Sequence, residues 1–101
     1  MSSYQEGFEA YERGDFGTAL KEFRPLVDQG YPLAQATLGL MYAEGQGVPK
    51  DYVLAHMWMN MAAAKGVKKA GKGRDFLEIL MTPDQLSEAQ RLAREWKSKG
   101  C

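Results

Sequence analysis

The stretch that decides the fold runs from Ala34 to Gly66 and reads AQATLGLMYAEGQGVPKDYVLAHMWMNMAAAKG. Two apolar runs flank a short loop with two glycines and a proline, and each run is long enough for about three helical turns. Asp51 stands directly before the second run, where an aspartate caps a helix, and Gly66 follows it, where a glycine ends one. The stretch therefore predicts two helices joined by a tight loop.

The same pattern occurs earlier in the chain. Residues 19–30 match residues 55–66 at an offset of 36, and Gly7 matches Gly39 at an offset of 32. The difference is an insertion of four residues at 45–48, in the turn of the second unit. Repetition at an interval of roughly 20–50 residues is typical of proteins built from stacked helical units.

The whole chain predicts six helices. Asp15, Asp51 and Thr82 are expected to cap the second, fourth and sixth helices, and Pro25 is expected to bend or break the second near its last turn. The helices are short, the turns are tight, and no β-branched alternation is present. We therefore predict a single all-α domain of residues 1–101, in which antiparallel helical hairpins stack as a short right-handed α-solenoid.

The second unit resembles a known family. Its glycine, aromatic and alanine positions follow the order Ala34-x4-Gly39-x2-Tyr42-x2-Gly45-x-Gly47-Val48-x-Lys50-Asp51-x3-Ala55-x2-Trp58-x3-Ala62-Ala63-x2-Gly66. This order resembles the Sel one-like repeat, a branch of the tetratricopeptide-like helical repeats. The resemblance divides the chain into a tetratricopeptide-like hairpin at 1–31, a Sel one-like repeat at 32–66 and capping helices at 67–101. Two positions depart from it: Asp75 replaces a packing glycine, and Met59 replaces an aromatic residue.

The resemblance implies a binding role and a place for it. Proteins of this family act as scaffolds and bind other proteins or peptides in the concave groove of the stack, which the first helix of each pair lines. Groove recognition uses aromatic and aliphatic anchors with charged residues around them. The resemblance implies that residues of the first, third and fifth helices line the groove. By their positions along these helices, the expected groove residues are Tyr4, Phe8, Tyr11, Leu33, Thr37, Leu40, Glu44, Lys72, Phe76 and Ile79.

Two other functions stay open at this point. A cysteine-rich branch of the family has been linked to β-lactam binding and hydrolysis, which makes a small-ligand or hydrolase-like protein one alternative. That branch carries a disulfide in each repeat, whereas this chain has the single cysteine Cys101. A self-assembling structural unit is the other alternative, because a short stack exposes its ends. We expect a monomer or a weak homodimer.

The residues that could carry chemistry are few. The sole histidine, His56, has no Cys, Asp or Glu neighbours at metal-ligand spacing, so we expect a packed or exposed histidine, no metal, no cofactor and no enzyme activity. Five cations lie between Lys65 and Arg74, but without aromatic residues among them, and the 13 basic residues of the chain equal its 13 acidic ones. We therefore expect no nucleic-acid partner.

The N-terminal sequence and the hydropathy bear on localisation. No apolar run approaches the roughly 18 residues of a membrane span, and the first residues lack the basic and apolar regions of a secretion signal. We therefore expect the cytoplasm, with the periplasm as the alternative if a signal peptide was removed from the chain.

Overall fold

The computed structural model describes residues 3–100, and the side chains of residues 3–96. All regular structure in this part of the chain is helical, which confirms the all-α prediction. Cys101 lies outside the described residues. The six helices are α1 (Ser3–Glu12), α2 (Phe16–Asp28), α3 (Pro32–Glu44), α4 (Tyr52–Ala64), α5 (Lys68–Leu80) and α6 (Pro83–Gly100).

The three predicted helix caps are present. The carboxylates of Asp15 and Asp51 each accept a hydrogen bond from the backbone N–H three residues later, at 3.3 and 3.1 Å. At the start of α6, the N–H of Thr82 donates to Gln85 Oε1 at 2.9 Å, and the N–H of Gln85 donates to Thr82 Oγ1 at 3.1 Å. These bonds satisfy backbone donors that have no partner inside a helix, so the starts of these helices are set locally.

The inserted loop of the second unit depends on glycine. Gly45 ends α3 with a φ of 66° and Gly47 follows with a φ of 77°, a region that residues with a side chain rarely adopt. A Cβ atom at Gly47 would lie 2.7 Å from Phe16 Cβ. The loop therefore turns tightly and lies directly against the start of α2.

Pro25 does not break the second helix, and that part of the sequence prediction is wrong. The helix continues through Pro25 to Asp28, and the N–H of Gln29 donates to the Pro25 carbonyl at 3.1 Å. A proline removes one backbone donor from a helix. Phe23 and Val27, on either side of it, are buried in the core, so tertiary packing holds the last turn in place.

Helix α4 is the centre of the packing. It contacts α3, α5 and α6, whereas α1 and α2 form a hairpin that packs on α3 mainly through α2. Helices α5 and α6 both pack on α4 and make little contact with each other. The last two helices therefore follow the stack without forming a third hairpin like the first two.

Met59 lies between two glycines on the neighbouring helices. A Cβ atom at Gly39 in α3 would lie 2.8 Å from Met59 Cγ and 3.1 Å from the Ala55 carbonyl oxygen. A Cβ atom at Gly73 in α5 would lie 3.0 Å from Met59 Sδ. The sequence comparison placed the packing position of the third unit at Asp75, which is exposed. The third unit therefore does not pack in the register of the second, as the departure at Asp75 indicated, and Gly73 makes the close approach to α4.

None of the described helices combines the length and the apolar character that crossing a lipid bilayer requires.

Replacing Gly39 with alanine should destabilise the fold. The added methyl group would force Met59 or the Ala55 backbone to shift, and overpacking of this kind costs about 1–3 kcal/mol. Gly17→Ala is the matched control, because Gly17 is also helical and a Cβ atom there meets nothing within 4 Å. That control should raise stability by about 0.4–1 kcal/mol. Urea unfolding of both variants measures the difference, and equal effects would contradict the close-approach argument.

Candidate functional site

The aromatic residues predicted for the groove form a continuous row along α1. Ring centroids lie 5.9 Å apart for Tyr4 and Phe8, and 6.0 Å apart for Phe8 and Tyr11. The row extends to Phe16, 5.8 Å from Tyr11, and to Tyr31, 5.4 Å from Tyr4. The three α1 rings are half-buried and pack against the core. They therefore stabilise the first hairpin and present one edge to solvent.

The residues predicted on α3 divide into exposed and buried positions. Leu33 and Leu40 are 44% and 41% exposed, and Glu44 is also exposed. Thr37 is buried, and its hydroxyl donates to the Leu33 carbonyl at 2.9 Å. A partner on this face would therefore meet the two leucines and Glu44, with Thr37 beneath them.

Tyr11 and Glu44 bring α1 and α3 together on one face. Burial, and then the negative charge of Glu44, raise the pKa of Tyr11 above its ordinary value. A negative charge disfavours ionisation of a nearby phenol, because the phenolate would carry the same charge. Residues of two helices that are separated in sequence thus interact electrostatically.

The residues predicted on α5 are exposed. Phe76 and Ile79 are 61% and 78% exposed, and Lys72 is exposed as well. Leu80, which is not among the groove residues expected from the sequence, is 48% exposed. It lies four residues after Phe76, so helical spacing alone could have identified it. We call Phe76, Ile79 and Leu80 the α5 apolar patch.

His56 is a core residue with one polar partner. It is 1% exposed, and its Nε2 lies 2.8 Å from Glu78 Oε2 on α5. Because a carboxylate accepts, Nε2 donates this hydrogen bond. No group of three or more His, Cys, Asp or Glu side chains among the described residues could hold a metal ion. The His56–Glu78 pair therefore links α4 to α5, and Glu78, 22 residues away in sequence, could not be recognised from spacing.

A cavity that the sequence did not indicate shares none of its lining residues with the aromatic row. Its volume is about 560 Å³, and it is bounded by the end of α2, the start of α3, the last turns of α4 and the middle of α6. Polar groups lie along it, among them Gln35, Lys65 and Arg94, and Met61 and Trp96 contribute apolar surface. The aromatic row and the cavity are thus two separate surfaces.

The helical arrangement agrees with the comparisons with known proteins. The model of the Sel1 repeat family matches residues 32–67, which contain the α3–α4 hairpin. Residues 32–67 of this chain therefore form a Sel1 repeat. A search of curated proteins found no match.

A solved structure shares this fold. The chain is similar to a protective antigen present in uropathogenic Escherichia coli strains that displays an SLR fold, with a TM-score of 0.82 and 29% sequence identity. The match covers 96% of this chain and 22% of that chain. The chain therefore spans about a fifth of the length of that antigen.

The raised pKa of Tyr11, caused first by burial and then by the charge of Glu44, predicts a measurable titration. Alkaline absorbance titration should show one tyrosine that ionises later than an ordinary phenol, whose pKa is about 10. Tyr11→Phe should remove it, and Glu44→Gln should move its pKa down. The pKa of Tyr11 is higher in the folded state than in the unfolded chain. Its contribution to the free energy of unfolding should therefore be fully present below a pH of about 10, the ordinary pKa of a tyrosine, and should be lost as the pH rises through the pKa of the folded state. An unchanged titration in Glu44→Gln would show that the two groups are not close.

Proposed function

We propose that this protein is a non-catalytic adaptor that binds a peptide or a partner protein on the face formed by α1, α3 and α5. Sel1 repeats are generally of the protein-interaction type, and this supports the class of function. The choice of face rests on the distribution of exposed apolar side chains.

The observation that carries the proposal is the exposure of large apolar residues on α3 and α5. Leu33, Leu40 and Phe76 are between 41% and 61% exposed. Such side chains contribute binding energy when a partner covers them. Tyr11 and Glu44 add a hydroxyl and a charge beside them, which would orient the partner.

The arrangement around His56 supports a function without catalysis. A general base needs access to the proton that it removes. The single histidine of the chain is buried, and its Nε2 is engaged by Glu78. The hydrolase-like alternative therefore has no specific support from this residue.

The test is capture of binding partners from an extract of the source organism with surface variants. Leu40→Glu and Phe76→Ser should each remove bound proteins that the native chain retains, because they replace exposed anchors without opening the core. Ser87→Glu is the control for added charge, since Ser87 is exposed on α6. It should retain the partner. Thermal melting followed by circular dichroism should show that all three variants fold.

Tyr11→Ala is a poorer probe than these variants. Its ring contacts both Phe8 and Phe16 and is half-buried, so truncation would remove core packing as well as a surface group. If Leu40→Glu and Phe76→Ser fold normally and retain the same partners as the native chain, the assignment of this face is wrong.

Self-association is a second candidate, and the α5 apolar patch favours it. Three large apolar side chains lie within five residues, and Ile79 is 78% exposed. Ile79→Ser should shift a concentration-dependent dimer toward monomer in light scattering, because it removes the most exposed member of the patch. A native chain that stays monomeric at all concentrations would exclude this candidate.

A further inference from the structure

We propose that the cavity bounded by α2, α3, α4 and α6 binds a carboxylate that is attached to an apolar group. Its volume of about 560 Å³ is in the range of small-ligand sites, roughly 300–1,000 Å³. The site lies apart from the α1–α3–α5 face, so it does not depend on the partner proposed above. The argument rests on a lysine, a buried amide and a tryptophan.

Lys65 is held in place at the edge of the cavity. Its ammonium donates to the Gly30 carbonyl at 2.8 Å and to Gln35 Oε1 at 3.4 Å. An ammonium has three N–H donors, so one remains for a ligand after these two bonds. A Cβ atom at Gly30 would lie 2.9 Å from Lys65 Nζ, which shows how closely the ammonium approaches this turn. The cation is therefore positioned by the backbone that joins α2 to α3.

Gln35 supplies the second observation. It is 0% exposed and contributes to the wall of the cavity, yet its Nε2 has no hydrogen-bond partner among the described residues. A buried amide without a partner is costly, and buried polar groups are almost always satisfied. A carboxylate oxygen that accepts a hydrogen bond from the third N–H of Lys65 would also lie beside Gln35 and give Nε2 an acceptor. The same ligand group would then bond to both side chains.

The remaining lining fits an apolar group with a single negative charge. Met61, Ala64 and Ala93 provide apolar surface, and Trp96 is positioned by Trp58, with ring centroids 4.9 Å apart. Arg94 adds a second cation at the cavity. Asp28 is the one acidic side chain among the lining residues that the structure describes, and it disfavours ligands of higher negative charge.

Two sources present this chemistry: the C-terminus of a peptide that ends in an apolar residue, and a free aliphatic or aromatic acid. The probes are an acetylated tripeptide that ends in leucine, the same peptide with an amidated C-terminus, and phenylbutyrate. Trp96 lines the cavity, so its fluorescence reports binding. The titrations use the native chain, whose two tryptophans are Trp58 and Trp96.

We expect saturable fluorescence changes with at least one of the two carboxylates, and binding of the amidated peptide at least about tenfold weaker than that of its acid. Binding of the acid peptide alone would identify a chain end as the source, and binding of phenylbutyrate alone a free acid. Failure of both carboxylates to bind, or equal affinity for the acid and amidated peptides, would overturn the proposal.

Variants locate the site. Lys65→Met should weaken binding by about tenfold or more, because it removes the cation that contacts the carboxylate. Lys72→Met is the matched control for loss of a lysine, since Lys72 is exposed on α5, and it should bind like the native chain. Native affinity in Lys65→Met would overturn the proposal.

Gln35→Leu tests the amide separately. Replacing an unpartnered buried amide with an apolar side chain of similar size should leave the melting temperature unchanged or raised, while ligand affinity falls. Circular dichroism verifies the fold of every variant before titration. Affinity equal to that of the native chain in a folded Gln35→Leu protein would show that the amide does not contact the ligand. Leu40→Glu, on the α1–α3–α5 face, should bind the carboxylate normally, so this test is independent of the adaptor proposal.

Discussion

Helices α3 and α5 both approach α4 at Met59, and the rest of the structure depends on this contact. The approach is close because Gly39 and Gly73 leave no side chain between the helices. Protein interiors are packed to a density that does not tolerate an extra methyl group without movement. The two outer helices, α3 and α5, therefore carry glycine at the contact. The long, flexible side chain of Met59 lies on the central helix α4 and packs against both of them.

Sharing one central helix determines which surfaces remain open. Because α5 and α6 both pack on α4 and hardly on each other, α5 keeps one side uncovered, and this side carries Phe76, Ile79 and Leu80. Helix α6 crosses α4 beside the end of α2 and leaves the cavity between them. The α5 apolar patch and the cavity are therefore two consequences of the same departure from regular hairpin stacking.

The polar contacts are of two kinds, local ones within a few residues and long-range ones between different helices. The caps at Asp15, Asp51 and Thr82 join residues three positions apart and set where helices begin. The contacts from Lys65 to Gly30 and from His56 to Glu78 span 35 and 22 residues and join elements that only the fold brings together. The caps specify where the helices begin, whereas the long-range contacts hold different helices together.

The sequence by itself determined the helices, because capping residues, glycine stops and apolar spacing act over three or four residues. It also indicated which α1, α3 and α5 positions share a helical face, although the burial of Thr37 depended on packing that spacing does not describe. The tertiary structure alone decided the register of α5 on α4, which made Gly73 and not Asp75 the packing position. The tertiary structure also formed the cavity. The distance between Gln35 and Lys65 depends on how the helices around them pack, and no local sequence pattern encodes that distance.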